Sequence, residues 1–277
     1  MSTFPQIFRL ILIFLYPVTI WSTEQDRLFY DAVRAEASGD FDSAIKFYRD
    51  ATKFGHSANL HGNLANLYFE NGEYGKSILH FNRAIILNPS DSTLLANLNF
   101  AMESKNIPKT EKQFVKNYLS SELLSLWIIV SLSIFWSGLL LVIYLVNFRT
   151  NKKSLLFVIP AWLLILFLSS YGTTLCYSQY AKLERKVIVF NADVISGDLN
   201  STKIHLRRFA GESNSANTTV VPGEALFVDE GDDGKPKSHR VSDGGIWFLV
   251  RDIENNKKGW IKEDEFGWVL PKNGSLF

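Results

Sequence analysis

Two uncharged stretches, Leu123 to Phe148 and Ser154 to Ala181, limit the folds open to this chain more than any other feature. Each exceeds the roughly 20 apolar residues that a helix needs to cross the hydrocarbon of a bilayer. The turn between them holds Arg149, Lys152 and Lys153 and no acid, which marks it as cytoplasmic under the positive-inside tendency. We therefore expect transmembrane helices over residues 123–147 and 154–177, a cytoplasmic turn over 148–153, and the flanking parts of the chain together on the opposite face. Neither span contains Asp, Glu, Lys, Arg or His, the residues from which ion paths and proton relays are built. The hairpin reads as an anchor.

Outside it the chain leaves two lengths of about 100 residues, each enough for a small core. Lys and Arg number 29 against 28 Asp and Glu, a formal charge of +1, so no basic surplus points to nucleic acid. The single cysteine, Cys176, sits at the end of the second stretch and has no partner for an internal disulfide. At the amino end, Leu10 to Thr23 is uncharged and has the length of a signal-peptide core. Ile20 and Trp21 before Ser22 are larger than signal peptidase favours, so residues 1–23 read as a signal peptide or as an uncleaved N-terminal anchor. Either places Glu24 onward outside the cytoplasm, in agreement with the basic turn.

The first exported length repeats itself. Gly39-Asp40-Phe41-Asp42-Ser43-Ala44-Ile45-Lys46-Phe47-Tyr48-Arg49-Asp50-Ala51 matches Gly72-Glu73-Tyr74-Gly75-Lys76-Ser77-Ile78-Leu79-His80-Phe81-Asn82-Arg83-Ala84 at an offset of 33 residues. Glycine followed by an acid ends one helix and starts the next, and Ala44, Tyr48, Ala51 with Ser77, Phe81, Ala84 fall on one helical face. This pattern resembles the tetratricopeptide repeat, and Asn88-Pro89 closes the second copy as in that family. A further helix from Ser92 to about Ser104 caps the stack, so residues 24–104 are expected to form repeats with a capping helix and 105–122 a linker. The resemblance implies a peptide groove on the concave face, here lined by Asn59, Asn66, Phe69, Glu70, Ala96 and Phe100. The lysines and arginines of a carboxylate clamp are missing beside Asn66 and Asn97, and a merely solvated face remains the alternative.

After Lys182 the texture changes to short Val, Ile, Phe and Thr runs between Gly, Asn and Asp clusters, the pattern of a small antiparallel barrel over residues 182–272. Strands are expected at Val187 to Ile195, Lys203 to Phe209, Glu224 to Asp229, Ile246 to Asp252 and Lys258 to Ile261, with a mobile charged loop from Asp229 to His239. Trp247 to Val250 followed by Lys258-Gly259-Trp260-Ile261 resembles bacterial SH3-like domains. Trp247 and Trp260 are then either barrel core or the walls of a ligand groove. The fold class expected is a multidomain membrane protein: helical tetratricopeptide repeats, two transmembrane helices and a small all-β SH3-like barrel.

Chemistry is scarce. Asp229, Asp232 and Asp233 suggest a calcium loop, but Gly231 and Arg240 stand where oxygen ligands belong. His56, His61, His80, His205 and His239 lack the paired spacing of a zinc site and read as surface residues. No nucleophile set, acid–base pair or metal cluster is visible, so neither catalysis nor a cofactor is expected. The order of signal, repeats, basic-turn hairpin and barrel resembles the BatE-type proteins of the Bacteroides aerotolerance operon. That resemblance implies a non-enzymatic scaffold in the bacterial inner membrane with both folded parts in the periplasm. Its implied partners are von Willebrand A-domain Bat membrane proteins and, indirectly, a MoxR-type ATPase. The alternative is a cell-wall sensor whose barrel binds peptidoglycan.

Overall fold

The computed structural model describes residues 23–107, 123–148, 153–190, 203–212, 214–242, 245–252 and 255–271. The expected signal or anchor apart from Thr23, turn residues 149–152 with the cations Arg149 and Lys152, and linker residues 108–122 lie outside these residues. Five helices come first: α1 (Thr23–Ala37), α2 (Phe41–Ala51), α3 (Ala58–Glu70), α4 (Tyr74–Leu87) and α5 (Ser92–Glu103). The repeat signal sets their ends. Gly39 and Gly72 both adopt a left-handed φ, 79° and 78°. In each copy the glycine and the following acid donate their amides back to the closing helix, Asp40 to the Ala35 carbonyl and Glu73 to that of Tyr68. Asp40, Ser57 and Asp91 then cap α2, α3 and α5 with side-chain oxygens that accept amides of the first turn. Ala44, Tyr48 and Ala51 on α2, and Ser77, Phe81 and Ala84 on α4, are buried, as their shared helical face requires.

Two long helices follow, α6 (Leu124–Phe148) and α7 (Lys153–Arg185). Both are long and apolar enough to cross a membrane, and nearly all of their apolar surface faces outward. A core helix of a water-soluble protein would be covered instead. What lies between the two is small and polar. Ser131 Oγ is 2.7 Å from Ser169 Oγ and 3.0 Å from Thr173 Oγ1. The Trp162 indole donates to the Ile134 carbonyl at 3.0 Å, with Gly138 making room for its ring. Close approach over small residues and hydroxyl pairs is how helices hold together where apolar surface alone gives no preference. Helix α7 extends beyond the expected end at residue 177 and passes straight into the first strand.

Among the described residues eight strands follow, with a 3-10 turn (Glu263–Glu265) before the last: β1 (Lys186–Val189), β2 (Ile204–Arg207), β3 (Ala216–Val220), β4 (Ala225–Val228), β5 (Ser238–Arg240), β6 (Ile246–Arg251), β7 (Lys258–Lys262) and β8 (Phe266–Trp268). All ladders are antiparallel, in the order β3-β2-β7-β6-β4-β1-β8, and β5 shares an edge of β6 with β4. Val220 of β3 and Phe266 of β8 belong to one apolar cluster with Val187, Val189, Leu206, Leu226, Val228, Phe248, Val250 and Ile261, so the sheet wraps around a single core. It stays open. Among the described residues β3 pairs only with β2 and β8 only with β1, so the ladder does not close as the expected SH3-like barrel would. The charged segment after Asp229 is not a free loop either. A Glu230–Pro236 bridge and β5 fold it back as a hairpin, held by the Lys237 amide on the Asp229 carbonyl.

The helices and the sheet share a further core. Strand β1 buries both of its faces. Val187 and Val189 point into the sheet's cluster, while Ile188 joins Ala65, Ile78, Leu79, Phe81, Ala101, Met102, Ile107 and Val269. Each large aliphatic side chain covered this way stabilises the contact by about 1.5–3 kcal/mol. Glycine permits the approach: a Cβ on Gly75 of α4 would lie 2.6 Å from the Val189 carbonyl oxygen, and one on Gly267 would lie 2.4 Å from Leu79. Replacing Gly75 by alanine improves helix propensity but forces backbone against backbone. We expect Gly75→Ala to lower stability by about 1–2 kcal/mol in urea unfolding of the solubilised protein, despite the gain of up to about 1 kcal/mol that alanine brings inside a helix.

Candidate functional site

The six residues expected to line the groove lie on two helices. Asn59, Asn66 and Glu70 form an exposed stripe along α3, with Phe69 half-buried beside it, and Ala96 and Phe100 are exposed on α5. Phe69 and Phe100 meet, their ring centroids 5.5 Å apart, and Phe100 keeps 62% of its surface open to solvent. Two residues that the sequence does not assign to the groove complete this corner. Tyr74 packs edge-on against Phe69 at 5.3 Å, and the Lys105 ammonium sits 3.9 Å from the Tyr74 ring centre. An exposed Phe100 ring backed by half-buried Phe69, beside amide side chains, suits an extended peptide, whose side chains need apolar contact and whose backbone needs hydrogen-bond partners.

Trp247 and Trp260 share the face of the sheet that points away from its core. Their neighbours Phe248, Val250 and Ile261 fill the inner cluster, and cross-strand pairing sets Leu249 opposite Trp260. The two differ in access. Trp247 is buried, with the Arg207 guanidinium carbon 5.7 Å from its ring centre, whereas Trp260 is half-buried with His239 edge-on at 6.3 Å.

The histidines are where sequence reading went wrong. His56, His61 and His80 are not scattered surface residues: they form one row inside the repeat region. His56 Nδ1 lies 3.0 Å from His61 Nε2, and His61 Nδ1 lies 2.9 Å from His80 Nδ1, with Tyr68 against the far side of His80. His61 and His80 are buried. The repeat offset carried the signal, because His61 stands 33 residues after Leu28 and before Leu94, and His80 stands 33 after Phe47. Leu28 and Leu94 are core positions and Phe47 packs against the same core.

Three neutral imidazoles satisfy this row without added charge. His61 donates through one nitrogen and accepts through the other, and its neighbours adopt the complementary tautomers. Burial, and next the Arg83 cation, hold the row neutral: the His61 pKa falls to about 3, that of His80 lies well below the usual value, and that of His56 is lowered less. Because His61 commits its two nitrogens to different neighbours, the row offers no common point for a metal, and no such cluster occurs among the described residues.

Arg83, one turn beyond His80 on α4, ties the array to the sheet. Its guanidinium donates to the Trp268 carbonyl at 2.8 Å and to the Val269 carbonyl at 3.3 Å. Burial lowers its pKa to about 10, which leaves it charged at neutral pH. Beside it, the Lys186 ammonium donates to the Asn82 side-chain oxygen at 2.9 Å. We expect Arg83→Met, which keeps the bulk and removes the donor, to cost about 1–3 kcal/mol in urea unfolding.

The tetratricopeptide repeat family model matches residues 58–91, which comprise α3, α4 and the turn closed by Pro89. A repeat of this family is therefore present, and it holds four of the six groove residues as well as His61, His80 and Arg83. No curated protein matches the chain.

Proposed function

We propose that this chain is a non-enzymatic, membrane-anchored adaptor whose repeat groove, lined by Asn59, Asn66, Phe69, Glu70, Ala96 and Phe100, holds an extended segment of a protein partner. The observation that carries this reading is the solvent-open Phe100 ring packed on Phe69, at the end of a polar stripe along the first helix of a matched tetratricopeptide repeat. Such repeats work as protein-interaction modules, and no catalytic family matches the chain.

The membrane part of the reading has a separate support. Residues ahead of the first long helix and residues after the second contribute to one apolar core, Ile78, Leu79 and Ile107 with Ile188 and Val269. Two crossings return the chain to the side it left, and a single crossing would pull that core apart. With a cytoplasmic basic turn, both folded parts stand in the periplasm of a bacterial inner membrane. The order of the modules resembles that of a BatE-type scaffold, whose partners would be von Willebrand A-domain Bat membrane proteins and, indirectly, a MoxR-type ATPase, in envelope stress or aerotolerance.

Partner capture tests the reading. Crosslinking in membranes is expected to recover von Willebrand A-domain membrane proteins with the wild-type chain, and Phe100→Asp combined with Asn66→Ala should reduce the yield at least about tenfold, equivalent to about 1.4 kcal/mol. Both positions are exposed, so the urea unfolding curve should not move. Equal recovery by the variant, or recovery of unrelated proteins alone, contradicts the proposal. Cosedimentation with purified sacculi that depends on Trp260 would favour the cell-wall sensor instead.

A further inference from the structure

The row of His56, His61 and His80 lies outside the expected groove, yet His80 stands one helical turn before Arg83, a half-buried cation that fastens the array to the sheet. The charged groups acting on the three rings are all positive: Arg83 acts on each of them, and Arg49 of α2 acts on His80. Glu73 acts on Tyr68 at the end of the row, not on the imidazoles. From the sheet, β8 presents backbone carbonyls to Arg83, and Lys186 of β1 engages Asn82 one residue away. A proton added to any ring therefore meets a like charge nearby in a site with little water to screen it.

We propose that His56, His61 and His80 form a proton-binding site that controls the seam between the repeat array and the sheet. Taking up a proton drives Arg83 off the Trp268 and Val269 carbonyls and lets α4 part from β1 and β8. His56, half-buried in the turn between α2 and α3, is the end through which the proton enters, and the two N···N contacts relay it inward. Arg83 and Lys186 anchor the seam through side-chain donors, and three glycines set how close the surfaces come: Gly75, Gly223 and Gly267. The seam can therefore open while each side keeps its own apolar cluster.

The direction follows from linkage. A released imidazole titrates near 6.5, and the closed row resists protonation down to about 3 for His61, so the closed form is fully favoured above pH 6.5 and loses ground as pH falls from there towards 3. The test is hydrogen exchange on the full chain in lipid nanodiscs, corrected for the intrinsic pH dependence of exchange. Between pH 7.5 and 5 the opening constant for amides of β8 and α4 should rise at least about tenfold, while those of α1 and α2 stay protected. The double substitution His61→Gln and His80→Gln should flatten that rise. No rise in the wild type overturns the proposal, and so does an equal rise in α1 and α2, which would be plain acid unfolding. A folded double variant with unchanged pH dependence overturns it too. If the double variant does not fold, the wild-type series decides by itself.

Discussion

The apolar seam between α4 and the β1–β8 edge of the sheet is the contact on which the rest of this molecule depends. Ile78, Leu79 and Ile107 come from the chain before the long helical hairpin, and Ile188 and Val269 come from the chain after it. Covering them together removes the distinction between a repeat module and a separate carboxyl-terminal module. The sheet also does for the array what terminal repeats do elsewhere, covering a face that a short stack cannot bury by itself. Helix α5 shares that task, since Ala101 and Met102 enter the same cluster.

The seam has consequences in both directions along the chain. Towards the membrane, α7 runs from the hairpin into β1 with no intervening loop, so the sheet is fixed to the end of that helix rather than tethered by a linker. Arg185, the last helical residue, pairs with Glu230 at 3.3 Å and braces the joint, although a pair this exposed adds at most about 1 kcal/mol. Towards the groove, the seam occupies α4 and leaves the exposed stripe of α3 and the outer side of α5 as the open surface of the array. The exposed α3–α5 surface and the docked sheet thus occupy different faces of the same repeat.

Sequence periodicity made the helices legible because each repeat copy carries its own punctuation, Gly39 and Gly72, and its own small-aromatic-small face. The hairpin was legible for a simpler reason, the absence of charge. The strands were read in part. Ile246–Arg251 and Lys258–Lys262 are rich in branched and aromatic residues, whereas Ala216–Val220, Ser238–Arg240 and Phe266–Trp268 are short, polar or broken by glycine and gave no pattern to read. The seam was invisible: Ile188 and Val269 look like any strand residue, and Gly75 and Gly267 look like punctuation rather than points of close approach. The histidine row hid behind residue type, because His61 and His80 stand at core positions of the repeat but were judged as polar side chains. Of the residues expected to line the groove, Asn59, Asn66, Glu70, Ala96 and Phe100 are exposed and Phe69 is half-buried, while Tyr74 and Lys105, which pack at the same aromatic corner, lie in the second half of the unit and just beyond α5.

If the two long helices cross a membrane, the core shared by array and sheet requires both to stand on the same side of it. Labelling of intact cells or spheroplasts by a membrane-impermeant thiol reagent tests it most directly, with single cysteines at the exposed positions Ser38 and Ser238 in a Cys176→Ala background. The account predicts that both cysteines react from the outside. Reaction of one from outside and of the other only after the membrane is opened would contradict it.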